Sequence, residues 1–244
     1  MSTVPGRLHI RSDGRVAGPA SIEYNDPFPC VNGSWGSGAM KGVVMHTMVG
    51  NLPGTIQVFN QSSYQASAHF GIDQQGHIHQ FGPIGRGWIA WAQVAGNDAW
   101  YSIEHADNGD THNPLTDAQI TASAQLVEVL SRFAGFPLQV TDSVDGRGYG
   151  VHCMGGEAWG GHTCPGPGPR AGQREAIIDL AKQIRHQHGT PSATWQAKAY
   201  AQATALGAEL TALVALLQPG DALTKAKAIQ ADASELADLI KQHQ

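Results

Sequence analysis

Lys41-Gly42-Val43-Val44-Met45-His46-Thr47 is an apolar run that closes on a histidine. It reads as a buried core strand that delivers an imidazole to a sheet edge. Far downstream lies Gly150-Val151-His152-Cys153-Met154-Gly155-Gly156-Glu157-Ala158-Trp159-Gly160-Gly161-His162-Thr163-Cys164-Pro165-Gly166. The imidazoles of His46 and His152 and the thiolate of Cys164 are three of the ligands that make a zinc site with its fourth position open, the catalytic rather than the closed structural arrangement. Spacing by itself leaves that open. There is no finger-like compact spacing, no CxxC pair, no HExxH, and no His-x-Glu with Pro-Cys-x-x-Cys. Satisfied histidines and a buried thiol fit the same residues.

Working outward from the first strand, Ser67–Ile72 and His77–Phe81 read as two strands joined by Asp73-Gln74-Gln75-Gly76, a hairpin turn that ends in glycine. Trp100–Ala106 reads as a further strand. Thr116-Asp117-Ala118-Gln119 is a capping-box start. Ile120, Ala124, Val127 and Leu130 follow at helical spacing, which predicts an amphipathic helix over 116–134 ended by Gly135. A second helix is predicted from about Gln173 to His188. Strands interleaved with helices, plus a hairpin, predict an α/β fold: a mixed central β-sheet flanked by helices.

Residues 1–40 are turn-rich, with short strand-like pieces at Leu8–Arg11 and Ala20–Tyr24 and a loop at Gly33–Gly38. They form an N-terminal extension that either adds a strand or covers a sheet edge. Composition changes at Gly189-Thr190-Pro191-Ser192. Beyond it, Ala199, Ala203, Leu206, Leu210, Leu213 and Leu217 alternate spacings of four and three, and Ala222 to Ile240 repeat the pattern after Pro219-Gly220-Asp221. This predicts a helical hairpin over 189–244, appended to a domain of 1–188. Its alanine-rich seams need a partner, by packing or by self-association.

With 41% hydrophobic and 14% charged residues in 244, the composition is globular rather than disordered. A formal charge of -5 argues against a nucleic-acid partner and against simple attraction to an anionic surface. No apolar run is long enough for a transmembrane segment. Met1-Ser2-Thr3-Val4-Pro5-Gly6-Arg7 lacks the pattern of a secretion signal, which predicts synthesis in the cytoplasm. Cys30, Cys153 and Cys164 are too few for a disulfide framework, and free thiols are expected rather than a Cys30–Cys153 bridge.

The order of these motifs resembles the zinc-dependent N-acetylmuramoyl-L-alanine amidases of type 2, a family that includes phage endolysins and is related to peptidoglycan recognition proteins. The resemblance spans roughly residues 40–188. It implies Zn2+ as cofactor, bacterial peptidoglycan as substrate and the cell wall as place of action. His46, His152 and Cys164 match the metal ligands, with cysteine where many bacterial members have aspartate. Glu104 matches a catalytic glutamate. His162 stands two positions before the last ligand, where the family usually has lysine; this is the main departure, because histidine is not obligatorily charged at neutral pH. The implied roles are general base for Glu104 and oxyanion donor for His162. His69 and His79 on the hairpin strands are candidates for contact with the glycan, against the alternative of a half-exposed strand face. Trp159, inside the ligand-bearing loop, is a candidate for stacking on a sugar, whereas Trp88, Trp91 and Trp100 are as readily core. Three rival readings are a peptidoglycan-binding module without catalysis, a thiol hydrolase with Cys164 as nucleophile and His152 as base, and a structural protein of a virion whose helical tail drives assembly.

Overall fold

The computed structural model describes residues 4–25, 40–85 and 89–188. The chain divides into Met1–His188 and Gly189–Gln244, and the described residues all belong to the first unit. The helical hairpin expected over 189–244, the Gly33–Gly38 loop, Cys30 and Trp88 lie outside them.

The elements run β1 (His9–Ile10), β2 (Val16–Ala17), β3 (Ile22–Tyr24), β4 (Gly42–Thr47), α1 (Leu52–Phe59), β5 (Phe70–Ile72), β6 (Ile78–Gln80), β7 (Trp100–His105), α2 (Asp117–Ala134), β8 (Gly148–Val151) and α3 (Arg174–His188). β1 and β2 form a small antiparallel pair, and the main sheet has the order β3-β6-β5-β7-β4-β8. β4 pairs in parallel with both β7 and β8, β5 pairs in parallel with β7, and β5 and β6 are antiparallel. The sheet is therefore mixed, with helices packed on it, as expected.

β4 is central because every one of its six residues is buried. Alternation along the parallel strands divides two environments. Val43 and Met45 of β4, with Tyr101 and Ile103 of β7, enter the main core beneath α2 and α3. Val44 and Trp100 point the other way and pack with Trp159. His46 and Glu104 fall on that second face by the same alternation. The sheet register sets them opposite one another.

Helix α2 begins at the expected capping box: Thr116 accepts from the Gln119 amide and the Gln119 side chain accepts from the Thr116 amide. It ends at Gly135, whose φ of 72° suits glycine. The amphipathic expectation is corrected in one respect. Residues 122–131 are all buried, polar ones included. The reason is the N-terminal extension. Gln125 donates to the Gly6 carbonyl, Arg7 pairs with Glu128, and Arg132 donates to the Leu8 carbonyl. Leu8 and Val16 enter the core, and β3 lengthens the sheet by pairing with β6. The extension both adds a strand and covers α2.

Candidate active site

Three parallel strands end together, and the ends of such strands are where open α/β sheets place ligands. β4 ends in His46-Thr47, β7 in Glu104-His105, and His152 follows directly on β8. Cys164 arrives on the loop beyond the 3-10 turn His152–Trp159. The Thr47 amide donates to its Sγ at 3.1 Å, and the Cys153 amide donates to its carbonyl at 2.9 Å. Among the described residues, His46, His152 and Cys164 form one group whose ligand atoms lie within 4.8 Å of one another. The rings of His46 and His152 are 4.5 Å apart.

Their tautomers follow from their neighbours. Gln93 Nε2 donates to the carbonyls of Trp100 (3.0 Å) and Gly96 (3.3 Å), so its Oε1 faces His46 and can only accept. His46 Nε2, 3.1 Å away, is therefore the protonated nitrogen. His152 Nε2 is likewise protonated, because it lies 2.9 Å from the Trp159 carbonyl oxygen. Both rings keep the Nδ1 lone pair for the cluster. Burial holds both histidines below the usual imidazole range, His46 well below it, and the neighbouring His152 adds to the effect at His46. Burial, with Glu104 nearby, pushes the Cys164 thiol up, against the Thr47 amide that favours its thiolate. Two neutral imidazoles with free Nδ1 atoms, held by outer hydrogen bonds, and a buried thiol that needs a cation to ionise suit zinc in their chemistry.

Glu104 Oε1 is 3.9 Å from His46 Nδ1. Its Oε2 is buried with no hydrogen-bond partner, and burial, with Asp107 nearby, pushes the carboxyl up to about 8. The cluster and Glu104 border a cleft of about 740 Å³. A second cavity of about 480 Å³ continues from Glu104 and Thr47 along α1.

Residues 36–167, more than half of the chain, match the family model of N-acetylmuramoyl-L-alanine amidases. The chain belongs to the N-acetylmuramoyl-L-alanine amidase family. Solved structures of other proteins are similar to this chain. The hydrolase AmiA of Staphylococcus aureus, solved with its ligand, aligns at 16% identity over 69% of this chain and 84% of that one, with a TM-score of 0.52. The amidase LysC of Clostridium intestinale aligns at 16% identity over 68% and 100%, with a TM-score of 0.45. Drosophila peptidoglycan recognition protein SA aligns at 14% identity over 64% and 91%, with a TM-score of 0.46. Among the curated proteins none matches. No described helix of this amidase-family chain is long and apolar enough to cross a membrane.

The other residues singled out from the sequence fall in different places. His162 is exposed on the cleft wall, its ring stacked on His152 at 4.8 Å. Trp159 borders the cleft but is only 4% exposed. Its ring packs against Trp100, and added Cβ atoms on Gly155 and Gly96 would stand 2.0 and 2.6 Å from it. Its carbonyl, rather than its ring face, reaches the site. His69 and His79 do not line the cleft. His69 is fully buried beside Ser102, 3.0 Å from Nδ1 to Oγ, and His79 is buried against Phe81. Sequence reading missed Gln93 and Arg170. Arg170 is fully buried and donates to Thr47 Oγ1 and to the carbonyls of His105, Ala106 and Asn113, tying the ends of β4 and β7 together. Gln93 lies 47 residues from His46 in a segment with no periodic pattern, so no local signal marks it.

Proposed function

We propose that the chain hydrolyses the amide between N-acetylmuramic acid and L-alanine in bacterial peptidoglycan, in the manner of a phage endolysin, with His46, His152 and Cys164 holding a zinc ion. The observation that carries this reading is the convergence of two imidazoles with free Nδ1 atoms and one thiol beside a buried carboxyl, on the floor of an open cleft. A zinc ion bound there supplies Lewis acidity toward the amide carbonyl and toward water.

The chain's own residues divide the remaining work. Glu104, 3.9 Å from His46 Nδ1 on the cleft wall, takes the proton of the attacking water as its carboxylate, the form that a cation held by the cluster favours. It returns that proton to the alanine nitrogen as the carbon–nitrogen bond breaks. The water oxygen stays on the lactyl carbonyl carbon, and with the second water proton passed on to the amine the products are a carboxylate and an ammonium group. His162 donates a hydrogen bond to the carbonyl oxygen as negative charge develops there. The thiol-hydrolase reading is disfavoured, because burial pushes the Cys164 thiol up and that reading leaves His46 and Glu104 without a role.

Zinc-loaded protein is expected to release N-terminal alanine from purified peptidoglycan without new reducing sugar ends, and chelator-stripped protein to release none. Release that survives stripping would remove the ligand assignment. Zinc retained without any release would favour a recognition module. Residues 189–244, read as a helical hairpin, are assigned a role in self-association. Equal oligomeric mass for the full chain and for a chain ending at His188 would oppose that.

A further inference from the structure

Four large hydrophobic side chains are markedly exposed among the described residues, and three of them border the cleft: Val49 (67%), Tyr64 (57%) and Val94 (64%). The two valines share a second peculiarity. Val49 has a φ of 49° and Val94 a φ of 46°, in the left-handed region that β-branched residues strongly avoid. Each is held there by its flanks. Met48 N donates to the His105 carbonyl, Gly50 N to Asp107 Oδ1, and Gly50 O accepts from Asp107 N and Asn108 N. Around Val94, Ala92 N and Gln93 N both donate to Asn97 Oδ1, and Asn97 N donates to the Val94 carbonyl. Glycine would take both conformations without strain, and an exposed isopropyl group recovers little of its cost by burial in the free protein. Backbone strain of this kind persists where the surroundings over-determine it, and it clusters at binding sites.

We infer that Val49 and Val94 are specificity residues that grip the two methyl groups flanking the scissile amide. This rests on the amidase reading above. The amide of N-acetylmuramoyl-L-alanine has a methyl-bearing carbon on each side, one in the lactyl group and one in alanine. Val49 borders both the main cleft and the cavity that continues from Glu104, while Val94 borders the main cleft alone. Val94 approaches Gly160 beside His162. Glu104 delivers the proton to the alanine nitrogen, so alanine lies on the Val49 side and its methyl meets Val49. His162 faces the carbonyl oxygen, so the lactyl methyl meets Val94. Two methyl contacts, one on either side, fix the position of the amide over the cluster.

The test compares muramoyl peptides that begin with L-alanine or with glycine, cleaved by zinc-loaded wild type, Val49→Gly and Val94→Gly. Wild type is expected to favour L-alanine about tenfold or more in kcat/KM, the scale of one methyl group in an apolar pocket. Val49→Gly should bring that ratio close to one, with zinc retained and a Tm no lower than wild type. Val94→Gly should keep the ratio while lowering kcat/KM for both peptides. A preserved alanine preference in Val49→Gly overturns the proposal, and so does a lowered Tm, which would mean that the valine serves the fold. If wild type cleaves neither peptide, the amidase reading fails by itself. The same comparison of dissociation constants for the two uncleaved peptides, by calorimetry, then decides the role of Val49.

Discussion

Gln93 has two amide hydrogens and one carbonyl oxygen, and each has a partner: the hydrogens go to Trp100 and Gly96, the oxygen to His46. A neutral imidazole that must present Nδ1 needs an acceptor at Nε2, and Gln93 is that acceptor. Gln93→Ala is expected to weaken zinc binding by about tenfold to a hundredfold, the usual range for a partner of a metal-bound histidine, read by chelator competition. An unchanged affinity would leave the His46 tautomer to some other group. His162 stands outside this set, exposed and stacked on His152. His162→Ala is expected to lower kcat by about a hundredfold to a thousandfold, as for loss of one oxyanion donor, while zinc stays bound. Full activity in that variant would take His162 out of the mechanism. Both residues lie in irregular segments. His162 was legible because it stands two positions before Cys164 in the chain; Gln93 was not, because its one informative contact crosses 47 positions.

At the scale of an element, α2 shows how a predicted helix acquires an unpredicted surroundings. Its start and stop are local chemistry and were legible: Thr116 and Gln119 cap one end, Gly135 the other. Its burial is not local. Glu128 is fully buried and meets Arg7 at 3.2 Å, Arg132 at 3.3 Å and Arg185 at 3.5 Å, drawn from the N-terminal extension, the helix itself and α3. Glu128→Gln leaves these arginines without their shared counter-charge. The expected loss is about 3 kcal/mol, the lower end for a broken buried pair because the arginines are partly exposed. In a domain of this size that is a fall in Tm of roughly 6–12 °C. Zinc affinity should not change, since none of the four touches the cluster. Thermal unfolding of the zinc-free protein reads this directly, and an unshifted Tm would mean that the ion cluster does not hold the extension to α2.

For the whole molecule, the histidines buried away from bulk water set an acid limit. Burial lowers His69 to about 3 and His105 to about 4, against an ordinary value of 6.5. As pH falls below 6.5 the unfolded chain takes up these protons and the folded chain does not. Their contribution is therefore complete above about pH 6.5 and is lost as pH falls toward 4 and 3. Each adds a slope of about 1.4 kcal/mol per pH unit in that window. Urea midpoints at pH 7, 6 and 5 should fall steadily, with a shallower fall in His69→Asn; equal slopes in the two proteins would acquit His69. The sequence by itself determined the layered α/β plan, because burial periodicity, capping and turn chemistry are properties of neighbours along the chain. It also marked His46, since a polar residue closing an apolar strand is conspicuous, while Glu104, His152 and Cys164 were marked by the order of the motifs. Only the tertiary structure decided which nitrogen His46 and His152 turn toward the cluster, that His69 and His79 lie off the cleft, that the extension closes over α2, and that two strained valines border the site. Those are outcomes of strand order and long-range hydrogen bonds, and no local pattern of residues encodes which distant groups will meet.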